Sequence, residues 1–187
     1  SNLFLKRCHR VYARGRITAS YMESLGFPSE KWELSADTAL LYDPAYSLSI
    51  ENVDHVDALE AELKSIRDSG KTVIGLSPSS LVQEKSAKRG KDYAGNFIDL
   101  IAKLDDSYHY VLLPNATRQG VDKSRNNDLH VINTIYDRLQ RDLAPDVAER
   151  VHPVNYDINT AGSRRLIACC DLVVTSRFHG MISCLSL

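Results

Sequence analysis

The chain has 187 residues, 43% hydrophobic and 25% charged, and 23 Lys+Arg against 24 Asp+Glu leave a formal charge of −1. That composition belongs to a globular chain and sets aside a disordered, collagenous or disulfide-knot protein. Near-neutrality argues against wholesale nucleic-acid binding, and no apolar run approaches the ~18 residues of a membrane span.

Both ends are expected to be cut. Ser1-Asn2 reads as the residue of a cleaved tag, and Phe4-Leu5-Lys6-Arg7 turns basic too early for a signal peptide. At the other end a helix opening at Phe178 reaches Leu187 without a C-cap. The four cysteines, Cys8, Cys169, Cys170 and Cys184, lack paired CxxC spacing and read as reduced thiols of a cytosolic protein.

In chain order, Val11–Ala13 reads as a strand, Thr18–Leu25 as a helix capped by Gly26, and Glu33–Leu41 as a second strand region. Asp54–Ser69 is an amphipathic helix (Val56, Leu59, Leu63, Ile66) ended by Gly70. From Lys71 onward strand and helix signals alternate. Strands are expected at Thr72–Leu76, Tyr108–Leu113, Arg150–Val154 and Asp171–Thr175, with Pro153 hinting at a sheet edge. Helices are expected at Tyr93–Leu104, from an Asp128 N-cap through Leu139, at Thr160–Cys170, and from Arg177 onward. Glu84–Lys91 and Thr117–Asn127 read as polar loops.

Repeated β-α units imply an α/β fold, a Rossmann-like parallel sheet with helices on both faces. Residues 1–50 are expected to be the C-terminal remnant of a preceding α/β domain, 51–70 a connecting helix, and 71–187 a Rossmann-like domain incomplete at its C-terminus.

Several motifs fail. Ser69-Gly70-Lys71-Thr72 resembles the end of a P-loop, but Ser65 stands where that motif needs Gly, and a strand follows where it needs a helix. No GxGxxG supports a dinucleotide. Asp105-Asp106 closes a helix, and the six histidines form no HExxH, so no metal site is expected.

The informative stretch is Asp171-Leu-Val-Val-Thr-Ser-Arg177-Phe-His179-Gly180-Met-Ile-Ser: an apolar strand, a short turn and a helix start. In open α/β sheets ligands sit beyond the carboxyl ends of the strands, where helix N-termini present free N–H groups. Cations there oppose the helix macrodipole, so helix stability does not account for Arg177 and His179. Two readings stay open. Either both groups converge on a bound anion, with His179 also suited to acid–base work, or Arg177 pairs with an acid across the sheet edge and His179 is a satisfied polar residue.

The run from Asp171 to Leu187, centred on Ser176-Arg177-Phe178-His179, closely resembles the signature of the polysaccharide pyruvyl transferase family. Weaker matches follow the same order: Tyr12-Ala-Arg14-Gly-Arg-Ile-Thr18, Ala36-Asp37-Thr38-Ala39, Val73-Ile-Gly-Leu-Ser77-Pro78 and Asn127-Asp128. The resemblance implies one half of a two-domain, glycosyltransferase-B-like architecture, with residues 71–187 binding the donor. It implies transfer of a pyruvyl group from phosphoenolpyruvate to saccharide hydroxyls, giving a ketal and phosphate in surface-polysaccharide biosynthesis, with no cofactor and no metal.

On that basis His179 and Arg177 are the candidate catalytic residues. His179 is the acid toward the methylene carbon or the departing phosphate, and Arg177 a ligand of phosphate or carboxylate. Arg14 (with Arg16 as rival), Ser77, Ser79, Asn115, Tyr156 and Phe178 are candidate substrate contacts; Asn115 stands where many relatives carry His. The acceptor is expected to be a saccharide or lipid-linked glycan and the location cytoplasmic, or the inner face of the membrane. A nucleotide-sugar glycosyltransferase of the two-Rossmann type and a non-catalytic Rossmann-like binding module are the alternatives.

Overall fold

The computed structural model describes residues 7–41, 49–118 and 127–187. The Ser1-Asn2 reading and most of the Thr117–Asn127 loop fall outside them. The described residues form two compact units, one drawn from residues 1–42 and the other from residues 43–185. Val53–Asp68, read from sequence as a connecting helix, belongs to the second.

The first unit is a small β-α-β element: β1 (Val11–Ala13), α1 (Arg16–Ser24) and β2 (Trp32–Leu34). The strands pair in parallel, with Val11 opposite Trp32 and Ala13 opposite Leu34. Ala13, Ala19, Met22 and Phe27 make its core. Gly26, at φ 63°, ends α1 as expected of a C′ glycine. The second strand is shorter than expected from Glu33–Leu41. Asp37 Oδ1 accepts from Ala39 N at 2.9 Å, and the chain turns into a 3₁₀ segment at Thr38–Leu41.

The second unit holds α2 (Val53–Asp68), β3 (Thr72–Ser77), α3 (Ser80–Ala87), α4 (Tyr93–Lys103) and β4 (Tyr108–Leu112). After these come α5 (Leu129–Asp142), α6 (Pro145–Ala148), β5 (Val151–Pro153), α7 (Thr160–Ile167), β6 (Leu172–Thr175) and α8 (Phe178–Leu185). Its four described strands are all parallel in the order β5-β4-β3-β6, the 3-2-1-4 order found across the centre of a doubly wound, Rossmann-type sheet. Pro153 sits on the edge strand β5, where a missing N–H is tolerated.

Strand alternation divides the core between the two faces of the sheet. Ile74, Leu76, Tyr110 and Leu112 pack with Phe97, Ile101, Ile132, Ile135 and Leu139 of α4 and α5. Val73, Val111 and Leu113 pack with Val56, Leu63 and Leu166 of α2 and α7. Gly75 opens space between β3 and its neighbours: a Cβ there would lie 3.0 Å from Cys170 Sγ and 3.1 Å from Val173 Cγ2. Burial pushes the Cys170 thiol up to about 12, so it is an inert packing group rather than a nucleophile.

Of the loop expected at Glu84–Lys91, residues 88–91 are turn and coil, but residues 84–87 are the end of a helix. Residues 80–87 form α3, with Glu84 and Lys88 paired at 2.9 Å one turn apart. Its mostly polar sequence has no apolar stripe to announce a helix.

On the α2 side, His109 Nδ1 and His152 Nε2 lie 3.3 Å apart, and His152 Nδ1 is 3.2 Å from Glu62. Burial holds both imidazoles below the usual histidine range; the neighbouring His152 adds to this at His109, and Glu62 partly offsets it at His152. The unfolded chain therefore binds protons more readily here than the folded one. Stability from this pair is present above about pH 6.5 and lost as pH falls through the depressed folded values. Thermal melts from pH 8 to pH 5 are expected to show a falling midpoint, with a shallower fall in the His109→Gln/His152→Gln variant. Equal slopes in the two proteins would remove this assignment. The carboxylates held low by partners, such as Asp92 beside Arg138, titrate at lower pH and do not contribute to that window.

Candidate functional site

The parallel sheet brings the carboxyl ends of β3, β4 and β6 together, with the switch in strand order lying between β3 and β6. Ser77 pairs with Thr175 in the β3–β6 register, and Ser176 N donates to Ser77 O at 3.3 Å. The chain then turns. Thr175 Oγ1 accepts from Arg177 N at 3.1 Å, and α8 begins at Phe178. Gly180 is required at this turn, because a Cβ there would stand 2.5 Å from Thr175 Oγ1.

Asp128 lies at the centre of the cluster. It is fully buried, and four donors converge on its carboxylate. Ser80 N donates to Oδ1 at 3.0 Å, while Asn115 N and Ala116 N donate to Oδ2 at 3.2 and 3.1 Å. The fourth is Nη2 of Arg177, in a short charge-assisted contact with Oδ1. One carboxylate thus ties the ends of three strands. Asp128 does occupy the expected N-cap position of α5, with its C=O accepting from Ile132 N at 3.1 Å, but its side chain makes no cap bond, and Asn127 Oδ1 accepts from Leu129 N at 3.2 Å. No local pattern marks the hub, since its partners lie 12 to 49 residues away in sequence.

Tyr93, which opens α4 as its helical pattern leads one to expect, is a second residue of the site. Its hydroxyl accepts from Ser79 N at 3.1 Å and lies 2.7 Å from Ser176 Oγ. It latches the β3 loop to the β6 turn.

Arg177 therefore does pair with an acid across the sheet edge. Yet only Nη2 is engaged. Nη1 has no hydrogen-bond acceptor among the described residues, and Nε is buried without one. His179 is exposed in the first turn of α8, its ring edge-on to Phe178 at 5.5 Å between centroids. The first N–H groups of an α-helix have no acceptor within it. The turn thus presents a fixed guanidinium, an accessible imidazole and a helix N-terminus, a combination suited to a small anion and to proton transfer.

The remaining expected contacts divide. Ser77, Ser79, Asn115 and Phe178 lie at these strand ends, Asn115 and Ser79 held through their backbone N–H groups. Tyr156 lies elsewhere. It packs edge-on against His55 at 4.9 Å beside α2, and its buried hydroxyl lacks a partner among the described residues. Arg14 is in the first unit, at the end of β1, 2.5 Å from the buried Asp37 carboxylate. Among the described residues no group of three or more His, Cys, Asp or Glu is placed to hold a metal ion. No described helix is long and apolar enough to cross a membrane.

A family model, polysaccharide pyruvyl transferase, matches residues 2–187. No curated protein and no solved structure matches the chain.

Proposed function

Because the chain belongs to the polysaccharide pyruvyl transferase family, a family of transferases, we propose that it moves a pyruvyl group from phosphoenolpyruvate to saccharide hydroxyls as a pyruvate ketal. The observation that carries this reading is Arg177, fixed at the end of β6 with Nη1 and Nε unengaged among the described residues, beside the accessible His179.

Phosphoenolpyruvate carries a phosphate and a carboxylate, so its site needs donors that converge on negative charge. Arg177 and the N-terminus of α8 supply them. A proton delivered to the methylene carbon makes the methyl group and leaves an electrophilic carbon beside the carboxylate. Two saccharide hydroxyls add to that carbon and lose their protons, one proton balancing the methyl group and the other the departing phosphate. His179 is the group placed to hand over a proton, to carbon or to phosphate.

The same reading takes both units as Rossmann-like parts of a glycosyltransferase-B-like enzyme. Its support is that each contains parallel strands joined through a helix. It takes the acceptor as a saccharide or lipid-linked glycan and the setting as the cytoplasm, where phosphoenolpyruvate is made, or the inner membrane face.

The test is ligand-dependent thermal stability of the wild type and of His179→Ala, with phosphoenolpyruvate, inorganic phosphate and a uridine diphosphate sugar. The wild type is expected to gain several degrees with saturating phosphoenolpyruvate, since ligand at 100 times Kd adds about 2.7 kcal/mol. The gain is expected to shrink in the variant. Selective response to the nucleotide sugar, or none to any anion, rejects the reading.

A further inference from the structure

We propose that Asp128 is a positioning residue for Arg177, presetting the guanidinium for the anionic donor; the inference rests on the reading just given. Three observations carry it. The first is burial: Asp128 is fully buried and the Arg177 side chain only 14% exposed, so the pair is held out of bulk water. The second is the incomplete use of the guanidinium. A purely structural buried ion pair is stable when its remaining donors are also satisfied. Here, among the described residues, Nη2 alone is bonded, and Nε is sequestered without an acceptor. Nη1, which has no acceptor among the described residues and is not sequestered as Nε is, is the donor left to a ligand.

The third is the frame around the carboxylate. Asp128 is itself fixed by Ser80 N, Asn115 N and Ala116 N, which belong to the ends of β3 and β4. The guanidinium is thus registered against three strand ends at once, whereas a free arginine side chain explores many rotamers. Holding one in advance lowers the ordering cost of binding. A negative charge beside an anion site otherwise opposes binding, so its retention in this place is explained by geometry rather than by attraction.

The experiment compares wild type, Asp128→Asn, Asp128→Glu, Arg177→Ala and the Asp128→Asn/Arg177→Ala double variant. Calorimetric titration with phosphoenolpyruvate and with inorganic phosphate is paired with the 15N Nε–H resonance of Arg177, assigned by its loss in Arg177→Ala. In the wild type this resonance is expected to exchange slowly and to move on adding phosphoenolpyruvate.

Asp128→Asn is expected to bind phosphoenolpyruvate about 10- to 100-fold more weakly, the scale of a misplaced contact, and its resonance to exchange faster. In the Arg177→Ala background the same substitution is expected to cost little more. Asp128→Glu keeps the charge one methylene away and is expected to restore part of the affinity; it carries the test if Asp128→Asn fails to fold. Wild-type affinity with an unchanged Nε–H signal in a folded Asp128 variant overturns the positioning role alone, as does a penalty that adds fully to that of Arg177→Ala. A wild type that binds neither phosphoenolpyruvate nor phosphate overturns the donor reading and this inference with it.

Discussion

Arg177→Ala is expected to lower unfolding stability by about 3 kcal/mol and to weaken, without eliminating, the response to phosphoenolpyruvate. Removing one partner of a buried pair leaves an uncompensated charge, which costs roughly 3–5 kcal/mol. Asp128 is wholly inside, but three backbone N–H groups continue to hold its carboxylate. The lower end of the range therefore applies. Arg177→Lys separates the two effects. It keeps a cation near Asp128 and so recovers part of the stability, but one ammonium cannot hold the carboxylate and face a ligand as a planar fork does. Urea unfolding of the three proteins, with and without phosphoenolpyruvate, checks both parts. If Arg177→Ala is as stable as wild type, the ion pair is not the staple described above. If its ligand response is intact, Arg177 is not a donor ligand.

Gly180→Ala is expected to destabilise by about 1–2 kcal/mol and to shift the first turn of α8, weakening donor binding with it. The new methyl group would stand 2.5 Å from Thr175 Oγ1 and 3.3 Å from its Cβ. Thr175 cannot swing aside freely, because it is β-branched and its hydroxyl bridges Arg177 N and Arg177 O. Overpacking of this kind costs about 1–3 kcal/mol, and the better helix propensity of alanine returns part of it, up to about 1 kcal/mol. Thr175→Ala removes the offending oxygen. In that background Gly180→Ala is expected to be neutral or stabilising, so the two substitutions couple strongly. Equal penalties in both backgrounds, measured by urea unfolding, would place the cause elsewhere.

Where sequence reading and structure part, the cause is range. Gly26 and Gly70 mark helix ends because φ values of 63° and 84° suit glycine, a property of single residues. The stripe Leu129, Ile132, Ile135, Tyr136, Leu139 announces α5, and three of those five side chains are buried. Residues 84–87 are helical where a loop is expected, because a half-exposed, charged helix has no apolar period. Glu33–Leu41 misled because the Asp37 carboxylate bends the chain by bonding Ala39 N. Tyr156 follows a strand, as a binding residue should, yet it turns toward α2 and packs against His55. Position along the chain set its neighbourhood, and packing set its direction.

Local order alone determined the alternation of strands and helices, the two apolar faces of the sheet, and the position of Arg177 and His179 at a helix start. Periodicity, capping and turn chemistry act within a few residues, so they are written directly in the sequence. Only tertiary structure decided the strand order β5-β4-β3-β6, the Tyr93 latch and the Asp128 hub. Each depends on residues tens of positions apart meeting at the same ends of parallel strands. Nothing in their local sequence distinguishes a buried carboxylate that holds an arginine from one that merely begins a helix.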